Sequence, residues 1–168
     1  EKCKWVEREF EAAMSTDVVI EKKRRIMQKL NESVIFEKFL HTKYIGQKRF
    51  SLEGGESTIP GLDAIINEAG DSGVKEVVIG MAHRGRLNVL ANTLQKTYKQ
   101  IFSEFEGTMP EDTTMGSGDV KYHLGQTGTH TSPMGSTVEL MLAANPSHLE
   151  AVNPVVEGMV RAKQQRLL

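Results

Sequence analysis

Three histidines stand where a strand-like or apolar run gives way to a polar turn: His83, His123 and His148. Imidazole has an unperturbed pKa of about 6.5, so it can donate or accept a proton near neutral pH. Arg84 and Arg86 lie beside the first of them. A guanidinium can clamp a carboxylate or phosphate through two parallel N–H bonds. Together these side chains suit an anionic substrate or cofactor. The plain alternative for any one of them is a histidine held by backbone partners, and three at the ends of strand-like segments weigh against it. His41 and His130 lack that placement and are read as surface or loop residues.

Two rival chemistries can be weighed on spacing. Three imidazoles can hold zinc, but no histidine pair has the i, i+4 spacing of a helical metalloprotease motif. Gly116-Ser117-Gly118-Asp119 could cradle a phosphate, yet it lacks the lysine of a P-loop. Lys48 and Arg49 beside Glu53 and Glu56 could form a ligand site, and paired surface charge is the simpler account.

The elements that must position these groups follow from periodicity. Val77 to Met81 is apolar without alternation, which predicts a strand buried on both faces, as in a parallel sheet covered by helices. Leu87, Leu90 and Leu94 then mark a helix, and Ile101, Phe102 and Phe105 another. Val120 to Gly125 reads as a short strand, Gln126 to Ser136 as a mobile stretch, and Thr137 to Ala144 as a second main strand. Asn153-Pro154 would cap a last helix through Val155, Val156, Met159 and Val160. In open α/β sheets ligands bind beyond the carboxyl ends of the strands, where His83 and His148 fall.

Ahead of the sheet, the spacing predicts three helices. The first runs from Glu1 to about Met14, the second from Val18 to Leu30, and the third begins at a cap on Asn31. Gly46 to Glu56 is a structured loop, and Thr58 with Pro60 opens a helix closed by Gly70 to Gly73. The reading therefore divides the chain into a helical segment, 1–45, and an α/β part, 46–168.

Composition excludes much. The 168 residues are 39% hydrophobic, with 21 Lys+Arg against 22 Asp+Glu, so no net field marks nucleic acid or an anionic membrane as a partner. Lys22-Lys23-Arg24-Arg25 reads as the wet face of an amphipathic helix. No apolar run approaches the roughly 20 residues that span a bilayer. The single cysteine, Cys3, rules out an internal disulfide and fits a reducing compartment. The sequence opens with neither an initiator methionine nor a signal peptide and stops in helical residues without a Gly or Pro, so it reads as cut at its ends.

From Phe36 to Arg166 the chain resembles the thiamin diphosphate-dependent decarboxylating first component of the 2-oxoglutarate dehydrogenase complex. Four blocks in order carry the resemblance: Lys48 to Gly54, Gly80 to Asn92, Gly116 to Gly125 and Asn145 to Val152. Residues before Phe36 resemble the helical segment that precedes that family's catalytic core. The resemblance implies an α/β fold, the first part of a thiamin diphosphate-binding domain with a mainly parallel sheet, left incomplete. It implies that His83 and His123 bind and orient 2-oxoglutarate, with Ser147 beside them, and that His148 belongs to the catalytic group. Arg84 would approach the cofactor diphosphate, and Ser147 and Leu149 would line the thiamin.

The implied partners are a second copy in a homodimer and a lipoyl-bearing succinyltransferase component that receives the succinyl group. The implied setting is a bacterial cytoplasm ahead of a mitochondrial matrix. One departure limits the transfer: the family's Gly-Asp-Ala motif, which holds magnesium against the diphosphate, occurs nowhere in these residues. The expectation is a fragment inactive on its own. Two alternatives stay open, a relative acting on 2-oxoadipate and a non-catalytic module for subunit contacts.

Overall fold

The computed structural model describes residues 1–14, 17–106, 120–146 and 148–166. Its elements in order are α1 (Lys2–Met14), α2 (Ile20–Lys43), α3 (Thr58–Asp71), β1 (Glu76–Ile79), α4 (Arg86–Asn92), α5 (Tyr98–Glu106), α6 (Val120–His123), β2 (Gln126–Thr131), β3 (Thr137–Leu142) and α7 (Leu149–Arg166). The architecture is α/β, as expected, with helices in front and a small sheet behind.

The helical front has one helix fewer than the spacing predicts. Asn31 does not cap a third helix; it lies exposed inside α2. Nothing near it breaks a helix, and Glu32 accepts hydrogen bonds from Gln28 at 2.8 Å and Lys29 at 2.8 Å, pairs at three- and four-residue spacing that support a continuous helix. The buried stripe Ser33, Phe36, Glu37 and Leu40 keeps the same face toward the core. The preceding helix, α1, has no buried residue.

The sheet has the order β1-β3-β2, with β1 and β3 parallel and β2 and β3 antiparallel. The parallel pair matches the expected topology; β2 corrects the reading of Gln126 to Ser136 as mobile. Thr127, Thr129 and Thr131 alternate along it, and β-branched residues at period two favour a pleated strand. Val120 to His123, in turn, is a helical turn, not a strand. Val77 to Ile79 are only partly buried, because β1 lies at the sheet edge and the expected two-sided cover is missing. The last helix starts four residues before Asn153, so Pro154 lies inside α7.

The core forms where α2, α3, α4 and α5 meet the sheet, around Phe36, Leu40, Ile66, Leu90, Ile101 and Leu140. On β3 the buried residues Val138, Leu140 and Leu142 alternate with exposed or half-buried ones, so one face of the strand carries this core. Among the described residues no helix is long and apolar enough to cross a membrane.

Two polar networks tie α2 to the rest of the chain, one reaching the sheet and one the loop 46–57 and α4. Arg25 Nε and Nη2 donate to Asp63 at 2.5 and 2.8 Å, Asn67 Nδ2 donates to Asp63 at 3.0 Å, and Asn67 Oδ1 meets His130 Nε2 at 2.7 Å. The basic run is thus not wholly a wet face, and His130, expected on the surface, is a buried strand residue. In the second network Glu37, itself buried, takes the guanidinium of Arg49 and accepts from Leu52 N and Asn88 Nδ2, each at 3.1 Å. This anchors the loop 46–57 between α2 and α4.

Both networks have measurable consequences. Burial acts to raise the Asp63 pKa, but the hydrogen bond and charge of Arg25 outweigh it and leave the carboxyl lowered. Burial lowers the His130 imidazole. In both cases the unfolded chain binds protons that the folded chain refuses, so stability is present at neutral pH and lost on acidification. The loss should begin below the ordinary histidine value of about 6.5 and deepen below about 4. Urea midpoints should fall from pH 7.5 to 5.5, and a midpoint that rises would contradict this. Glu37→Ala leaves Leu52 N without its acceptor, Asn88 Nδ2 with Ser33 O alone and Arg49 with its longer pairing to Glu53 at 3.6 Å, and should cost roughly 1–3 kcal/mol, read from the same unfolding curves.

Candidate functional site

The parallel pairing places the turn after β1 and the turn after β3 at one edge of the sheet, because Ile79 pairs with Leu142. The first turn is closed by Arg86 N donating to His83 O at 3.0 Å and by Gly85 N donating to Phe50 O at 3.0 Å. Gly85 has φ +74°, and a Cβ there would lie 2.6 Å from Leu52 Cδ1. A side chain is therefore excluded by backbone and by neighbour alike. This tight turn seats the loop 46–57 directly on the His83 turn.

His83 is 2% exposed. Its ring packs edge-on to Phe50 at 5.3 Å, stacks on Tyr122 at 5.3 Å and faces His123 at 4.8 Å between centroids. Tyr122, fully buried, accepts a hydrogen bond from Phe50 N at 3.1 Å and packs edge-on against the Phe50 ring at 5.1 Å. Lys48 Nζ lies 5.3 Å from the centroid of Phe50. The buried His83 is thus held by two aromatic rings, and the half-buried His123 lies against it. Gly125, two residues beyond His123, permits this approach: a Cβ there would lie 2.8 Å from Leu142 O.

Arg84 is exposed and donates from Nη1 to Ser51 O at 3.1 Å. Arg86, grouped with it from sequence as an anion ligand, is instead fully buried. Its Nη1 donates to Met81 O at 3.3 Å, and its Nη2 to Leu124 O at 2.9 Å and Ala143 O at 2.7 Å. Burial lowers its pKa to about 10. Asn145 is buried as well: Nδ2 donates to Met81 O at 2.5 Å and its backbone N to His123 O at 3.1 Å, while Oδ1 has no hydrogen-bond partner among the described residues.

The remaining expected residues are placed less closely. His148 is exposed just before α7 and is not part of the ring stack; its carbonyl accepts from Ala151 N at 3.2 Å. Leu149 opens α7. Ser147 and the glycine pair Gly116 to Asp119 lie outside the described residues. Among the described residues no three His, Cys, Asp or Glu side chains converge as a metal site, so the three-histidine zinc arrangement is not formed by them. Phe50, Tyr122 and Asn145 were not singled out by residue type, although each falls within or beside a block that is otherwise chemically loaded. Aromatic and amide side chains carry no spacing signal of their own.

Residues 28–167 match the family described as Dehydrogenase E1 component. The chain is 54% identical over 168 residues to the multifunctional 2-oxoglutarate metabolism enzyme of Mycolicibacterium vanbaalenii, covering 99% of this chain and 13% of that protein. It is 56% identical over 164 residues to the 2-oxoglutarate dehydrogenase E1/E2 component of Corynebacterium glutamicum, covering 97% and 13%. Against the 2-oxoglutarate dehydrogenase E1 component of Cupriavidus necator it is 54% identical over 164 residues, covering 97% and 17%. The chain thus spans 13–17% of the length of these relatives. With a family match over most of its length and relatives above half identity, the chain belongs to the Dehydrogenase E1 component family.

Proposed function

We propose that this chain supplies part of the substrate wall of a 2-oxoglutarate dehydrogenase first component, which decarboxylates 2-oxoglutarate and passes the succinyl group to a lipoyl arm. The observation that carries the reading is the His83–His123 pair, with ring centroids 4.8 Å apart and the His83 ring packed on Tyr122 and Phe50, at the carboxyl edge of the sheet. Two imidazoles so placed can direct N–H donors at one carboxylate of a diacid, and the rings around them keep that geometry without rearrangement on binding. His123 meets the acid first, and His83 braces it from behind. In this reading His148, Ser147 and Leu149 belong to the same site, as the family resemblance implies.

Thiamin diphosphate fits part of what is present. Arg84 is an exposed guanidinium suited to a phosphate oxygen, and the buried Oδ1 of Asn145 is an acceptor without a partner among the described residues. When bound, that cofactor supplies the electron sink for the carbanion left by loss of carbon dioxide. Among the described residues no three His, Cys, Asp or Glu side chains converge, and we assign no magnesium ligand to them. The assembly proposed is a homodimer working with a lipoyl-bearing succinyltransferase in a bacterial cytoplasm. The relatives named above are bacterial, and one carries both E1 and E2 in its name.

Two measurements test this. In the full-length chain, His83→Ala and His123→Ala should each lower kcat/KM for 2-oxoglutarate about 10- to 100-fold, the worth of one charge-assisted hydrogen bond of 1.5–3 kcal/mol. Unchanged decarboxylation would leave the segment as a subunit-contact module, and a higher specificity constant for 2-oxoadipate would reassign the substrate. For the 168-residue chain by itself, calorimetric titration with thiamin diphosphate and magnesium should show no tight binding, and a submicromolar Kd would overturn that expectation.

A further inference from the structure

We infer that Arg86 is a positioning residue for the diacid, setting the spacing of His83 and His123 through the backbone without touching substrate. The inference rests on the substrate reading above and adds a residue to it. Arg86 opens α4, yet its side chain is 0% exposed and its fork reaches three carbonyls on three segments. Met81 O, at 3.3 Å, is two residues before His83. Leu124 O, at 2.9 Å, follows His123 directly. Ala143 O, at 2.7 Å, is two residues before Asn145.

Asn145 closes the same circuit, because it donates to Met81 O at 2.5 Å and, from its backbone, to His123 O at 3.1 Å. One planar cation and one amide therefore lock the turn after β1, the turn after α6 and the turn after β3 to each other. Among the described residues no carboxylate pairs with Arg86. An unpaired buried charge is costly, and apolar side chains of like volume commonly serve stability as well or better. What an apolar residue cannot do is fix three carbonyls at set angles. Lysine cannot do it either, since its ammonium is a compact point donor where arginine is a rigid fork.

The test uses the full-length chain and two substrates, 2-oxoglutarate and 2-oxobutyrate, which lacks the distal carboxylate. In Arg86→Lys the charge is kept and the fork is lost. The ratio of kcat/KM for 2-oxoglutarate over 2-oxobutyrate should fall tenfold or more, toward the roughly hundredfold loss that a displacement of about 1 Å produces. A merely structural role would lower both substrates together, so an unchanged ratio overturns the inference. If the lysine variant fails to fold, Asn145→Ala must lower the same ratio by removing the second tie to Met81, and a wild-type ratio there overturns the inference equally. A wild-type enzyme with no preference for the diacid would instead overturn the substrate reading.

Discussion

Parallel pairing of β1 with β3 is the constraint on which the site depends. Parallel strands cannot be joined by a tight turn, so the chain must leave the end of β1 and return to the start of β3. Here it does so through α4, α5, α6 and β2. The consequence is that residues 80–85 and 143–146, far apart in sequence, leave the sheet at the same edge. The return path is itself used: α6 ends on His123, which delivers its imidazole to His83.

An edge assembled from three separate turns has no covalent reason to keep its shape. Helices and strands satisfy their own backbone, but the turns between them leave carbonyls and N–H groups that must find partners when buried. Arg86 and Asn145 answer this from inside the edge, and Glu37 with Tyr122 from the loop side, through Leu52 N and Phe50 N. Four polar side chains therefore do for the turns what ladder hydrogen bonds do for the strands. All four are buried, which raises the cost of losing any one of them and narrows the arrangements open to the turns.

What was legible in the sequence follows the reach of each signal. Apolar runs and glycine punctuation located β1, β3, α3 and the loop 46–57, because those signals act within a few residues. The four quoted blocks identified the family. The failures share one cause, tertiary context. Asn31 has the chemistry of a cap, but a buried stripe from Ser33 to Leu40 carries α2 through it. Gln126 to Thr131 holds a glycine and polar residues, yet β3 beside it pairs with it residue for residue in an antiparallel ladder. Arg86 looks from sequence like a second anion ligand beside Arg84, and only the fold shows the two pointing into different surroundings.

His130 and His83 show why burial does not by itself separate a structural histidine from a functional one. Both are nearly inaccessible, at 7% and 2%. His130 ends in a closed relay through Asn67 and Asp63 to Arg25, each polar atom matched by the next. The ring environment of His83 is aromatic on two sides and opens on a second, half-exposed imidazole. A closed polar relay fixes one protonation pattern and stabilises the fold. His83 instead packs among aromatic rings, with another histidine as its half-exposed neighbour. That difference in surroundings, more than the residue type or the degree of burial, is what separates the two histidines.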